Sequence, residues 1–283
     1  MEALVLMYHQ IVPDGASENW VPASLADPRY GVSRLEFARQ MAHLRQEGYR
    51  ILALDELLAP GRLSSDGFSA ASSGVSSGAT SDATLDATSD ERPTLVVTFD
   101  DGYETDLTLA LPILSRLGIP ATFFVATGHI GSPGMLTETM AAELVARPLF
   151  RIGGHGESHR FLSDMPEAEC RWELARSLDR VREISGQKSA AMSAPGGRTS
   201  HRVADLARQA GFSALATSRP GLYRERADPF SIPRLPIPRS HSLRDFAALL
   251  DPRSLVHRKE RWVRQAKQAA RSVLSTLSPA KGG

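Results

Sequence analysis

Cysteine is nearly absent from this chain of 283 residues, which contains only Cys170. One cysteine excludes an internal disulfide framework and a cysteine-rich zinc site. The sequence also lacks an apolar run near the roughly 20 residues that span a bilayer. The first residues, MEALVLMYHQIVPD, have no basic leader and no small-residue cleavage site. We therefore predict neither a signal peptide nor a membrane span, and we expect a cytoplasmic protein.

Neither sign of charge dominates the chain, which contains 33 Lys and Arg residues and 32 Asp and Glu residues. A net charge of +1 gives no overall positive field that could hold nucleic acid, so we predict no nucleic-acid partner. Hydrophobic residues make up 42% of the chain and charged residues 23%, which is typical of a globular protein.

Large side chains are almost absent from residues 64–91, where Ser, Thr, Ala, Gly and Asp prevail and the near-repeat SDATLDATSD occurs. Such a segment buries too little apolar surface to offset the entropy lost on ordering. We therefore predict a disordered insertion at 64–91, looped out of a single domain that covers residues 1–250.

The C-terminal segment, residues 251–283, is basic and amphipathic, with eight Lys or Arg residues and one Glu. At helical spacing, its basic and apolar side chains fall on opposite faces. This predicts a helix over Leu255–Leu277. That helix either docks on the domain with its basic face in solvent or contacts an anionic membrane peripherally.

The rest of the chain alternates between short apolar runs and amphipathic segments, which is typical of a parallel sheet covered by helices. The predicted strands are Leu4–Tyr8, Tyr49–Leu52, Thr94–Phe99, Ala121–Ala126, Leu149–Ile152, Ser189–Ser193 and Phe212–Thr217. The predicted helices include one capped by Ser33, then Leu54–Leu58, Glu104–Leu117, Thr137–Ala146, Pro166–Ser185, His201–Gln209 and Leu243–Leu250. Six or seven such units favour closure into a barrel.

Polar side chains follow four of the predicted strands directly, where a parallel barrel carries its chemistry. These runs are Tyr8-His9, Asp100-Asp101-Gly102, the segment 155–159 (HGESH) and the segment 193–198 (SAPGGR).

Two of these runs contain candidate metal ligands. Asp100 and Asp101 would repel each other after a buried strand, and a divalent cation relieves that repulsion. His155 and His159 lie four residues apart, one helical turn, so that both can face one ion. Two histidines and one aspartate leave positions open for water and substrate, and the other aspartate is free to act as a base.

The motifs TFDDGY, HxxxH and SAPGG resemble the first three motifs of the polysaccharide deacetylase family, the NodB-homology carbohydrate esterases of family 4. The resemblance covers about residues 4–236. It implies a distorted (β/α)7 barrel, a divalent metal, commonly zinc, and hydrolysis of N-acetyl or O-acetyl groups on glycans. Asp100 then resembles the general base, and the metal ligands are Asp101, His155 and His159.

The SAPGG segment is similar to a motif that normally reads Arg-x-Pro-Tyr-Gly and walls the substrate groove. The resemblance implies that the backbone N–H of Gly196, after Pro195, helps to hold the oxyanion. Tyr103 is expected to line the mouth of the site. Ser193 replaces the arginine that pairs with the base, and Gly196 replaces the aromatic wall. Arg234, in IPRLP, is the candidate substitute for the lost arginine.

A clear late Leu-x-x-His motif, the family's usual source of the general acid, is missing. We predict His9 as the acid because it follows a strand with the other site residues, and His241 is the alternative. Glu157 is expected to support the histidines rather than to catalyse. Trp20 and Trp172 are expected to pack in the core.

Together these features predict a metal-dependent deacetylase that acts on a glycan or lipid-linked sugar in surface polysaccharide biosynthesis, with water activated by Asp100. A basic C-terminal helix would suit an enzyme at the inner face of the membrane. Two alternatives stay open: a non-sugar amide hydrolase at the same site, and a catalytically silent module that binds glycan or scaffolds a complex. Asp100 argues against the silent module, which needs no base beside complete metal ligands.

Overall fold

A curled, mainly parallel sheet runs through the part of the chain that the computed structural model describes, which is residues 2–17, 25–59, 94–188, 190–224 and 226–251. The strands are β1 (Glu2–Tyr8), β2 (Ile11–Val12), β3 (Val32–Ser33), β4 (Thr94–Phe99), β5 (Ala121–Val125), β6 (Phe150–Gly154), β7 (Ala191–Ser193), β8 (Ala214–Ala216), β9 (Tyr223–Arg224) and β10 (Leu235–Pro236). The helices are α1 (Arg34–Gln46), α2 (Leu54–Leu58), α3 (Leu111–Leu117), α4 (Glu138–Val145), α5 (Glu167–Ser185), α6 (His201–Ala210) and α7 (Leu243–Leu250).

The strand order of the main sheet is β10-β1-β4-β5-β6-β7-β8, and neighbouring strands along this path are parallel. Ile232, just before β10, pairs with Ala216 of β8. The segment 232–236 therefore pairs with β1 at one end of the strand order and with β8 at the other, which draws the sheet into a distorted barrel. The α/β fold with a curled parallel sheet that the sequence predicts is confirmed.

Alternate residues of the strands enter two separate apolar clusters, as the two-residue period of a strand requires. On β1, Leu4 and Leu6 join the larger cluster, whereas Val5 joins the smaller one. The smaller cluster also holds Phe124 of β5 and Ala214 of β8. Because it collects side chains from strands on opposite sides of the curl, it fills the inside of the barrel.

Several elements coincide with the sequence predictions in their bounds, among them β4, α2 and α7. The predicted strand Tyr49–Leu52 is wrong, because Ile51 makes only an isolated bridge to Leu95 before α2 begins. The predicted helix Glu104–Leu117 contains a π-helical turn, Asp106–Ala110, ahead of α3.

Three predictions fall on residues outside the described ranges: the insertion at 64–91, the basic helix Leu255–Leu277 and the packing of Trp20. Trp172 was expected to pack, but its side chain is 57% exposed on α5, so that prediction is wrong. Among the described residues, no helix combines the length and the apolar character needed to cross a membrane.

The end of β6 depends on close packing at Gly153. A Cβ atom there would lie 2.6 Å from the carbonyl oxygen of Ala191 and 2.7 Å from the ring of Phe124. We expect Gly153→Ala to lower the free energy of unfolding by about 1–3 kcal/mol, because a backbone carbonyl cannot move aside. Urea unfolding measures this loss. Gly186→Ala is the comparison: its positive φ makes an added Cβ cost backbone strain alone, since no atom lies within 4 Å of it. Equal stability of Gly153→Ala and the unmodified chain would contradict the packing.

Candidate active site

The carboxyl ends of β1, β4, β6 and β7 open onto one cavity of about 340 Å³. Strands of a parallel barrel place their following loops at the same end, which explains why distant motifs meet here. Six of the residues predicted from the sequence line this cavity: His9, Asp100, Asp101, His155, His159 and Gly196.

Asp101 and the two histidines form a compact group whose possible metal-ligating atoms all lie within 4.8 Å of one another. Oδ1 of Asp101 is 3.3 Å from Nε2 of His155 and 3.1 Å from Nε2 of His159. The expectation that the histidines lie one helical turn apart is wrong. They lie on a loop after β6, where positive φ angles at Gly156 (74°) and His159 (60°) turn the chain and bring both rings to Asp101.

Hydrogen bonds determine which atom of His155 and of Asp101 can face an ion. Nδ1–H of His155 donates to the carbonyl oxygen of Ser193 at 2.9 Å. Since a carbonyl only accepts, this bond fixes the tautomer and leaves the lone pair on Nε2. The hydroxyl of Tyr103 donates to Oδ2 of Asp101 at 2.7 Å, which leaves Oδ1 for the histidines. Two imidazole nitrogens and one carboxylate oxygen are the donor set of catalytic zinc sites.

The electrostatics of the group fit a bound cation. Burial by itself would raise the pKa of Asp101, but hydrogen bonds to His155 and His159 outweigh it, and the pKa lies well below its usual range. Burial raises the pKa of Tyr103, and the neighbouring Asp101 charge adds to the effect, so the phenol keeps the proton that it donates. Tyr103 was expected to line the mouth of the site. That expectation is wrong, because its side chain is fully buried.

Asp100 faces the other way and pairs with Arg234, which is 0% exposed. Nη1 of Arg234 donates to Oδ1 of Asp100 and Nη2 donates to Oδ2, both at 2.7 Å. Ser193 completes the arrangement, because its hydroxyl lies 3.1 Å from Oδ2 of Asp100 and accepts from Nη2 of Arg234 at 2.7 Å. Burial alone would raise the pKa of Asp100, but the charge and hydrogen bonds of Arg234, together with the charge of His155, outweigh it and the pKa is lowered.

The arginine that pairs with Asp100 is therefore Arg234, just before β10, and not a residue of β7, the strand that carries Ser193. Its guanidinium also donates to the carbonyl of Thr217 at 3.0 Å and to Oγ1 of Thr98 at 3.2 Å. These bonds fix the side chain in the barrel interior, and the small Ser193 leaves the space that it occupies.

His9 lies at the cavity with its ring stacked on Tyr30, at 4.5 Å between ring centroids. Its Nδ1 atom is buried and makes no hydrogen bond to the described residues. Burial lowers the pKa of His9, against the opposing effect of Asp101 and Asp100. His241, the alternative acid, lies in the turn before α7 and is not among the residues that line the cavity. Pro195 is buried beside Gly196.

The loop that carries the histidines rests on Glu173, a residue that the sequence analysis missed. Glu173 is buried on α5 and accepts the backbone N–H groups of Glu157 at 2.8 Å and Ser158 at 3.0 Å. Its signal was present, because Glu173 lies on the apolar face of α5 between Cys170 and Leu174. The carboxylate of Glu157 accepts from the hydroxyl of Thr127 at 2.5 Å.

The chain is similar in sequence and in fold to known proteins. Residues 87–215 match the sequence model of the family described as polysaccharide deacetylase. The chain is 28% identical over 135 residues to the protein YxkH of Bacillus subtilis. This alignment covers 47% of this chain and 48% of that protein. It is 24% identical over 154 residues to poly-beta-1,6-N-acetyl-D-glucosamine N-deacetylase of Staphylococcus aureus, which covers 53% of this chain and 45% of that one.

The fold is similar to that of the deacetylase PplD of Streptococcus pyogenes, solved in complex with acetate. The TM-score is 0.69 at 22% identity, over 89% of this chain and 99% of that one. The chain thus combines a curled parallel barrel with an Asp–His–His group at the strand ends. The chain therefore resembles the polysaccharide deacetylase family over residues 87–215, just under half of its length. Its alignments span about half the length of the curated relatives.

Removal of a ligand tests the metal group directly. We expect Asp101→Asn and His155→Ala to weaken zinc binding at least about 100-fold, because each removes one of three convergent ligand atoms. Competition with a chromophoric chelator measures the affinity. Asp100→Asn is expected to change it less than about tenfold, because Asp100 faces Arg234. His201→Ala, at an exposed histidine on α6, is the matched control. Zinc bound as tightly by His155→Ala as by the unmodified chain would rule out this ligand set.

Proposed function

We propose that this chain is a metal-dependent deacetylase that hydrolyses the N-acetyl or O-acetyl group of a glycan. The observation that carries the proposal is the pairing of two carboxylates with separate partners in one cavity. Asp101 faces two imidazoles, whereas Asp100 is held ionised by Arg234. A metal-binding group with an ionised base beside it is the arrangement that amide hydrolysis requires.

In this proposal, Asp101, His155 and His159 hold a divalent ion, and zinc suits the donor set best. Such an ion, when bound, supplies a Lewis acid that polarises a carbonyl and lowers the pKa of water.

The remaining roles fall to this chain's own residues. Asp100 accepts a proton from the attacking water, and Arg234 keeps that carboxylate ionised and fixed in position. The backbone N–H of Gly196 stabilises the developing oxyanion. His9, as an imidazolium, donates a proton to the leaving group. Because burial lowers the pKa of His9, this protonated form is favoured only towards acid pH. The products are acetate and a free amine from an N-acetyl group, or acetate and a free hydroxyl from an O-acetyl group.

The substrate that we propose first is a polymer of N-acetylglucosamine. Its support is the similarity to the Staphylococcus aureus enzyme, whose name gives that polymer as its substrate. A role in surface polysaccharide biosynthesis, action on a lipid-linked sugar, the cytoplasmic location and membrane contact by the C-terminal helix stay predictions from the sequence.

Acetate release tests the proposed activity. We expect zinc-loaded protein to release acetate from N-acetylated oligosaccharides, chelation to stop it and added zinc to restore it. Asp100→Asn should lose about 100-fold or more in kcat while keeping its metal, because it removes the base. His201→Ala should match the unmodified chain. Full activity of Asp100→Asn would contradict the assigned base.

The same assay separates the alternatives. Zinc bound tightly with no acetate from any glycan would contradict the deacetylase. Hydrolysis of non-sugar amides would then support the amide hydrolase, and inactivity towards these as well would support the silent binding module.

The pH profile tests the role of Arg234. Arg234→Met removes the charge that lowers the pKa of Asp100 and leaves burial, which raises it. A higher pKa leaves more of the base protonated at a given pH, so the acid limb of kcat/KM is expected to move to higher pH. Arg151→Met is the control. Arg151 is the second residue of β6, and its ion-pair partner Asp55 is exposed. An unmoved acid limb in Arg234→Met would show that the ion pair does not set this pKa.

A further inference from the structure

Phe161 is one of three large apolar side chains that are exposed among the described residues, at 39%. The other two, Leu35 and Trp172, are not among the residues that line the catalytic cavity, whereas Phe161 does line it, two residues after His159. The ring also lines a second hollow of about 370 Å³, whose walls include His159, Arg160 and Asp164. Phe161 and His159 therefore form a wall that both spaces share.

The ring is held in position rather than left loose. The guanidinium carbon of Arg198 lies 4.3 Å from the centre of the Phe161 ring, within the range of a cation–π contact. Nη1 of Arg198 donates to Oδ2 of Asp164 at 3.3 Å, and the backbone N–H of Asp164 donates to the carbonyl of Phe161 at 3.0 Å. Arg198 and Asp164 thus orient one exposed aromatic ring beside the site.

Phe161 also occupies the direction in which a side chain at position 196 would point. A Cβ atom on Gly196 would lie 2.4 Å from Cε1 of Phe161. Gly196 has a φ of 61°, so its backbone and its surroundings both exclude a larger residue. The wall that is missing from the SAPGG segment is therefore supplied by an aromatic ring from the loop after His159.

We propose that Phe161 forms a subsite for the sugar unit next to the one that reacts. The apolar C–H face of a pyranose ring stacks on an aromatic side chain, while its hydroxyls need polar partners such as those Arg160 and Asp164 offer around the second hollow. The chain would thus bind an oligosaccharide across His159, with the acetylated unit in the catalytic cavity and its neighbour on the Phe161 ring. This inference rests on the proposed function, because it needs a glycan substrate.

The dependence of kcat/KM on substrate length tests the subsite. Zinc-loaded protein is assayed on N-acetylglucosamine oligomers of one to five units. We expect kcat/KM to rise with length, and Phe161→Ala to lose about tenfold on the longer oligomers, so that the rise flattens. Phe161→Trp should restore the rise, which a merely structural role would not predict. Trp172→Ala removes a more exposed aromatic side chain on α5, away from the cavity, and should keep the rise.

Two further measurements keep the outcomes distinct. If Phe161→Ala unfolds at the same temperature as the unmodified chain, its loss of kcat/KM does not come from a loss of folded protein. Acetate release with the same length dependence in both proteins would overturn the subsite and leave the deacetylase standing. If no acetate appears, calorimetric titration of the same oligomers decides. Length-dependent binding that Phe161→Ala loses supports the subsite without the activity, and binding that does not depend on Phe161 overturns it.

Discussion

The buried ion pair between Asp100 and Arg234 is the interaction on which the rest of the site depends. Removing two charges from water costs several kcal/mol for each ion, and the pair is tolerable only where every remaining donor is satisfied. Here the guanidinium bonds to Asp100, Ser193, Thr98 and the carbonyl of Thr217. One side chain therefore joins the segment that closes the barrel to β4, to the last residue of β7 and to the residue after β8.

Ser193 couples this ion pair to the metal group. Its hydroxyl contacts both Asp100 and Arg234, and its carbonyl oxygen fixes the ring of His155. A larger residue at position 193 would have to displace Arg234. The serine in place of the motif's arginine and the position of Arg234 therefore depend on each other. The base and the metal ligands consequently share a support, although their charges face different partners.

Most of the strands and helices that position the site were predictable from the sequence. The spacing of apolar residues and the helix-capping residues are local properties of the chain. The continuous run TLVVTF gives β4, and Ser33 caps α1 as expected. Local pattern could not show that the two histidines sit on a turned loop, since that depends on φ angles at Gly156 and His159. The contact between Phe161 and Gly196 was equally hidden, because it joins two loops that are far apart in the chain.

Two neighbouring carboxylates can serve different roles only if the chain points them in different directions. Asp100 continues β4 and faces the barrel interior, whereas Asp101 adopts a φ of 79° and turns towards the histidines. A left-handed non-glycine residue costs of order 1–3 kcal/mol. The carbonyl of Asp101 accepts the N–H of Ala126 at 3.1 Å, and the side chain bonds to Tyr103, which holds the strained residue in place. The alternation of a strand would already send adjacent side chains to opposite faces. The positive φ at Asp101 adds the turn at the strand end where its carboxylate meets His155 and His159.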